Sequence, residues 1–252
     1  LKLKHRRYIS SKWVKHKALM KEPQIQQILP DTARLTKSTF IEWLNRYPSV
    51  FLKPVNGTGG KGIIQVKKKE DGYRYKKNRK SRDYSDLPAL LKKIKPLIKS
   101  EKYLIQQGID LLKVEGKPVD FRVLLLKPRK KWKVMGRMGK QAAKKRIVTN
   151  HCQGGKPLTL RKALKKAKGI TGQDYKEMKH RVDNTARLTA ETLGKRFKGL
   201  RELGLDLAID KDLKIWILEA NTKPLFNLFR YNPDKSLYPK IRRQILRIRK
   251  RR

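Results

Sequence analysis

Cysteine, histidine and acidic residues are scarce in this sequence, and each scarcity closes a route. The lone cysteine, Cys152, permits no internal disulfide, and no cluster of Cys and His offers a structural zinc site. The histidines, His5, His16, His151 and His180, are scattered, which argues against a histidine-based triad or a His-rich metal centre. No run of about 18 apolar residues occurs, so no transmembrane helix is expected. The opening LKLKHRRYISSKW is basic but lacks the apolar centre of a signal peptide, and a soluble, cytoplasmic protein is the expectation. Aromatics make up 8% and are not threaded through the basic runs. With no RNP-like motif, zinc finger or clear recognition helix, a dedicated nucleic-acid reader is disfavoured.

Positive charge is what the chain has in excess. Lys and Arg number 67 against 21 Asp and Glu, a net charge of +46 over 252 residues. Such a surplus repels itself in the compact state. A polyanionic partner is one reading, and a solvated surface with no particular partner is the other. The tail KIRRQILRIRKRR places Ile241, Ile245 and Ile248 on one helical face among cations. Polyanion contact and a solvated helix end both fit that pattern.

Along the chain, SSKWVKHKALMKEPQIQQILPDTARL reads as one helix opened by Ser10 or Ser11 and closed near Pro30. STFIEWLNRY is a second helix with an apolar stripe of Phe40, Ile41, Trp43, Leu44 and Tyr47. SVFLKPV and GIIQVKKKE are strands, and Asp71-Gly72 turns the chain back into YRYKKN. LPALLKKIKPLIKS is a basic amphipathic helix interrupted by Pro96, and KYLIQQGIDLL is a strand with an irregular exit. Two strands joined at KPRKK follow, then a helix capped by Thr159 and a long helix over 173–198. LGLDLAIDKDLKIWILEAN is a further hairpin. Because the strands come in hairpins, the class is α+β with largely antiparallel sheets.

Two motifs carry chemistry. FLKPVNGTGGKGIIQV, Phe51 to Val66, sets a glycine-rich loop between two strands. It lacks the spacing of a Walker loop and the following helix that a dinucleotide fingerprint requires. A loop of this kind folds as a flap over phosphates through backbone N–H groups and Thr58, with Lys53 beside it, although glycines also mark ordinary hairpins. In WILEANTKP, Glu219 and Asn221 stand two apart on a strand and point the same way, and Asp206 on the preceding strand can face them. Two carboxylates and an amide form an all-oxygen set suited to Mg²⁺ bound with substrate phosphates. A buried ion pair is the alternative for the carboxylates.

The order of lysine and glycine flap, hinge strand, D-x-R, basic strand, Asn before Gly-Gly, then D…E-x-N resembles the ATP-grasp superfamily. LPDTARL, FLKPVNGTGGKGI and ELGLDLAIDKDLKIWILEANTKP are most similar to the YheC/YheD group of endospore coat-associated proteins, and more distantly to RimK-type glutamate ligases. The resemblance spans about Ser11 to Pro224. It implies two α/β lobes with ATP between them, and assigns Lys53 and Lys12 to the nucleotide phosphates. Gly57, Thr58, Gly59, Gly60 and Gly62 would form the flap. Gln107 and Gly108 fall at the hinge that meets adenine and ribose. Glutamine there departs from the usual acidic residue, and Asp110 is a substitute. Asp120 and Arg122 match the D-x-R strand, Arg137 the arginine facing an acyl-phosphate, and Asn150 the asparagine beside the phosphates. Asp206, Glu219 and Asn221 match the magnesium ligands.

The implied activity is that of an ADP-forming carboxylate–amine ligase using ATP and Mg²⁺, with Lys53, Arg122 and Arg137 catalytic. The charge surplus adds an acidic small molecule, peptide or envelope or spore polymer as the expected substrate. A non-catalytic basic spore-coat protein, or a nucleic-acid-binding protein retaining the fold, is the alternative. Expected divisions are a helical segment over 1–37, a small lobe over 38–104, a metal-bearing lobe over 105–224 and a basic tail over 225–252.

Overall fold

The computed structural model describes residues 8–57, 59–143 and 155–250. Its backbone is organised around two sheets in which every strand pair is antiparallel. The first sheet combines β1 (Thr32–Arg34), β2 (Ser49–Pro54), β3 (Ile64–Lys69), β4 (Gly72–Lys77), β5 (Lys80–Tyr84) and β6 (Tyr103–Gln107) in the order β1-β6-β2-β3-β4-β5. Helices α3 (Lys37–Arg46) and α4 (Leu87–Lys99) cover it, and Phe40, Leu44, Leu90 and Ile94 close a core against Val50, Leu52, Ile64, Val66 and Ile105. Thr36 caps α3, accepting from the Thr39 amide at 3.1 Å while the Thr39 hydroxyl accepts from the Thr36 amide at 2.9 Å.

The second sheet runs β10 (Lys156–Leu158), β9 (Lys133–Gln141), β8 (Lys117–Leu126), β11 (Glu202–Ile209), β12 (Ile215–Asn221), with the short β7 (Lys113–Val114) pairing β8. One face packs on α1 (Lys12–Leu19), α5 (Leu160–Lys168) and the 25-residue α6 (Gly172–Arg196). Strand parity sets the rest. Along β8, Val119, Phe121, Val123 and Leu125 turn toward the helices. Asp120 and Arg122 face the other way, followed on that same face by Leu124 and Leu126. A single strand face thus changes from charged to apolar halfway along.

The apolar half is covered by the C-terminal segment. A 3₁₀ turn at Asn227–Tyr231 and helix α7 (Leu237–Lys250) bury Leu228, Phe229, Ile241, Ile245 and Ile248 against Leu124, Leu126 and Met138. The isoleucine stripe is therefore a core element, which sequence alone left open, while the cationic side chains keep the solvent side.

Several elements differ from the sequence-based expectation. The first helix does not reach Pro30: α1 ends at Leu19 and α2 (Pro23–Gln26) restarts at Pro23, a residue whose fixed φ suits a first turn. β1 and β5 are strands that the pattern did not announce. β1 is three residues long, and the exposed β5 carries no apolar alternation. Pro96 does not interrupt α4, because it lies exposed near the last turn and forfeits little of the hydrogen-bond ladder. If α7 is integral to the core, Ile245→Ala lowers the unfolding free energy by about 2–4 kcal/mol. A chemical-denaturation midpoint unchanged from wild type contradicts that packing.

Candidate functional site

The charged half of that strand face is the floor of a cleft. Register places Asp206 opposite both Arg122 and Glu219, and Asp120 opposite Lys140. Arg122 grips Asp206 with two parallel bonds, Nε to Oδ1 and Nη2 to Oδ2, each 2.9 Å. Lys140 Nζ donates to Asp206 Oδ1 at 2.6 Å and lies 3.1 Å from Asp120 Oδ1. Asn221 Nδ2 adds a bond to Asp206 Oδ2 at 3.1 Å. Burial pushes the Asp206 carboxyl up, but Arg122 and then Lys140 outweigh it and hold the group well below the usual carboxylate range.

Glu219 and Asn221 share a face of β12, as the two-residue spacing requires. A bulge opposite Asp206 and Leu207 admits one extra residue, and Leu218 as well as Glu219 lines the cleft. Lys12, the first residue of α1, sits 3.5 Å from Glu219 Oε1 and donates to the Gly57 carbonyl at 2.8 Å. Its own amide donates to the Val55 carbonyl at 2.9 Å. The flap that follows has Gly57, Gly59, Gly60 and Gly62 at positive φ, a region open to glycine at little cost. Lys53 bonds the Gln106 side chain, and Gln106 in turn donates to Thr32 Oγ1 at 3.0 Å. Burial pushes Lys53 down to about 8, opposed chiefly by Glu219, and Lys15 is likewise lowered by burial to about 8.

The cleft, about 520 Å³, lies between the sheets. Phe51, Ile63, Ile109, Leu111 and Leu218 supply the apolar part of its lining. Lys53, Arg122 and Lys140, with Asp120, Asp206, Glu219 and Asn221, supply its charged and polar part, and Lys223 to Leu228 also line it. Such a division fits a ligand with a flat apolar body and an anionic tail.

Of the residues expected from sequence, Lys53, Gly59, Gly60, Gln107, Asp120, Arg122, Asp206, Glu219 and Asn221 line this cleft. Gly57 and Gly62 belong to the flap, and Lys12 pins it. Arg137 is not brought to the cleft. It pairs with Asp183 of α6 through both guanidinium arms, because β9 turns residue 137 to the helical face. Lys140, three residues on and of opposite parity, reaches the cleft instead. Asp110 is exposed and paired with Lys113 at 3.2 Å, and does not itself line the cleft although its neighbours Ile109 and Leu111 do. The Gly108 amide is occupied, donating to the Ser49 carbonyl at 2.8 Å. A Cβ at Gly108 would approach that same oxygen to 2.7 Å, so the close backbone contact demands glycine. Thr58 and Asn150 lie outside the described residues. Sequence reasoning missed Gln106, Lys140 and Lys15. Parity with Asp120 could have found Lys140, while Lys15 depends on how α1 docks and Gln106 on the pairing of β6 between β1 and β2.

A hard divalent cation finds suitable donors here. Among the described residues Glu219 makes one ion pair, the 3.5 Å contact to Lys12, and the Asn221 side-chain carbonyl accepts no hydrogen bond while its amide nitrogen faces Asp206. Asp206 is different, because Arg122, Lys140 and Asn221 already fill its acceptor sites. Glu219 and Asn221 thus fit the metal expectation, and Asp206 fits it only if Lys140 moves aside. Among the described residues, no group of three or more His, Cys, Asp or Glu is gathered as a metal cluster.

Behind the cleft, His16 stacks on Trp13 at 5.7 Å. Burial pushes its imidazole down from 6.5 to about 4, partly opposed by Asp31. Between those values the unfolded chain takes up a proton that the folded chain refuses. Stability is therefore expected to be full above about pH 6.5 and to fall progressively toward pH 4. His16→Gln should flatten that part of the curve of denaturation midpoint against pH, and an unaltered slope refutes the assignment.

Two curated relatives come from Bacillus subtilis (strain 168). Endospore coat-associated protein YheD is 34% identical over 234 residues, covering 87% of this chain and 49% of the relative. Endospore coat-associated protein YheC is 25% identical over 236 residues, covering 91% and 64%. The chain therefore spans less than two thirds of the length of either. Among solved structures, the ADP complex of purK, N5-carboxyaminoimidazole ribonucleotide synthetase, superposes with a TM-score of 0.54 at 15% identity, over 89% of this chain and 47% of that one. The D-alanine-D-alanine ligase from Coxiella burnetii gives 0.56 at 11% identity, over 96% and 58%. At such identities the likeness is one of fold, the ATP-grasp. A family profile described as YheC/D like ATP-grasp matches residues 3–250, and with two antiparallel sheets enclosing a flap-covered, cation-rich cleft, the chain belongs to that family.

Proposed function

We propose that this chain is an ATP-dependent carboxylate–amine ligase that uses Mg²⁺ and forms ADP. The observation that carries the reading is a single cleft whose lining joins an apolar set to Lys53, Arg122 and Lys140 and the oxygens of Glu219 and Asn221. In this reading the apolar residues accept a base, and the charged ones accept a triphosphate beneath the flap. Burial lowers Lys53 to about 8, and phosphate oxygens approaching it would favour its charged form.

In the proposed reaction a substrate carboxylate oxygen attacks the γ-phosphorus and the bond to the β-phosphate oxygen breaks, giving an acyl-phosphate and ADP. An amine then attacks the acyl carbon and expels phosphate. The step asks for positioning and charge neutralisation more than for a protein acid or base. Glu219 and Asn221 would hold the divalent ion, which would neutralise charge on the transferring phosphate. Arg122 remains tied to Asp206 and acts as a fixed, preoriented positive group. Backbone N–H groups of the flap would donate to phosphate oxygens. The charge surplus of +46 supports an acidic small molecule, peptide or polymer as substrate. The coat association named for both relatives supports an envelope or spore setting.

The full occupation of Asp206 favours a second reading, a basic coat protein or nucleic-acid binder that retains the fold and holds nucleotide without turning it over. A coupled ADP-release assay across acidic peptides and amino acids separates the two. The ligase reading expects Mg²⁺-dependent ADP release with an acidic acceptor, reduced about 10²–10³-fold by Lys53→Ala and by Glu219→Ala. Nucleotide binding without ADP release for any acceptor supports the second reading.

A further inference from the structure

The hairpin of β4 and β5 carries cations on both faces, but only one face is balanced. On the first, Asp83 accepts from Arg74 twice at 2.8 Å and from Lys69 at 3.1 Å. On the other, Tyr75 stands opposite Arg82 and Lys77 opposite Lys80. That face opens into a groove of about 820 Å³ between the hairpin, α4 and the end of the flap. Lys61, Lys77, Arg79, Lys80, Arg82 and Lys93 line it, and no acidic residue does. None of the six has a carboxylate within salt-bridge distance among the described residues. Six unscreened like charges in one concavity raise the local potential and favour an anionic occupant.

Two further observations select the occupant. The tyrosine rings in the groove are already engaged. Tyr75 and Tyr84 meet edge to face at 6.4 Å, with Lys93 over Tyr75 at 6.0 Å and Arg82 over Tyr84 at 5.5 Å. Faces covered by cations give nucleobases no stacking platform, which single-strand binders rely on. At the same time β5 ends the sheet, with β4 as its only strand partner, so its outer backbone edge is open among the described residues. An extended polypeptide can add to such an edge, and a polynucleotide cannot. Because β5 is Lys-Ser-Arg-Asp-Tyr, every second residue of an added strand falls on the face that presents Lys80 and Arg82.

We infer that this groove binds an acidic polypeptide segment, rich in Asp or Glu, laid in extended form along the outer edge of β5. The inference concerns binding without nucleotide and stands apart from the ligase reading. Lys77 and Lys80 do not line the cleft, so their replacement tests the groove alone.

The test measures fluorescence anisotropy of a labelled oligo-glutamate peptide titrated with the full chain in the absence of nucleotide. Lys77→Glu/Lys80→Glu is expected to weaken binding at least about tenfold, since like-charge juxtaposition opposes docking. Lys165→Glu/Lys168→Glu on α5 makes the same change in net charge at a distance, and is expected to weaken binding less than about threefold because salt screens remote charges. ATP binding should be equal in both variants and the wild type, and failure of the wild type to bind ATP would bear on the ligase reading and not on the groove. Equal weakening by both variants overturns the inference in favour of diffuse charge. Unchanged affinity for a peptide N-methylated at every residue overturns the strand pairing. Single-stranded DNA of equal charge displacing the peptide at lower concentration assigns the groove to nucleic acid instead.

Discussion

The site depends on one carboxylate shared between two cations. Asp206 lies on the central part of the second sheet, and Arg122 and Lys140 reach it from β8 and β9. Placing a lone charge there would be costly, and removing one partner from such a buried set typically costs roughly 3–5 kcal/mol. The web therefore enforces register: a one-residue slip of β8 against β11 would turn Arg122 into the helical core. The same register sets Glu219 and Asn221 at the cleft mouth. Structural cohesion and site geometry are one arrangement here.

The surplus of positive charge is handled differently in different places. In the cleft floor it is matched by Asp120 and Asp206. At the entrance it is not, since Lys12, Lys15 and Lys53 all lean on Glu219. Burial lowers Lys15 and Lys53, Glu219 only partly opposes it, and the entrance holds cations whose best partner is an incoming anion. The long α7 shows a third solution, with isoleucines buried and cations spread over the solvent face.

Much of this was legible in the sequence wherever a local rule decided the outcome. The glycine flap between two strands, the β11–β12 hairpin, the long α6 and the common facing of Glu219 and Asn221 all follow from period and turn chemistry. The facing of Arg137 was not legible from motif order alone. Strand parity, fixed by the pairing of Arg122 with Met138, puts it on the α6 side. β1 and β5 escaped notice because short or fully exposed strands show no alternation. The role of the Ile241, Ile245 and Ile248 stripe depended on what it would meet, namely Leu124 and Leu126 on the far half of β8. Periodicity reveals that a face is apolar but not what covers it.

Lys12 has a consequence beyond its own contacts. A single ammonium touches the Gly57 carbonyl on one side and Glu219 on the other. Cap position and carboxylate availability are therefore two readings of the same latch. Whatever draws that ammonium away unfastens the cap and bares Glu219 in one stroke, and by thermodynamic reciprocity whatever occupies Glu219 also biases the cap.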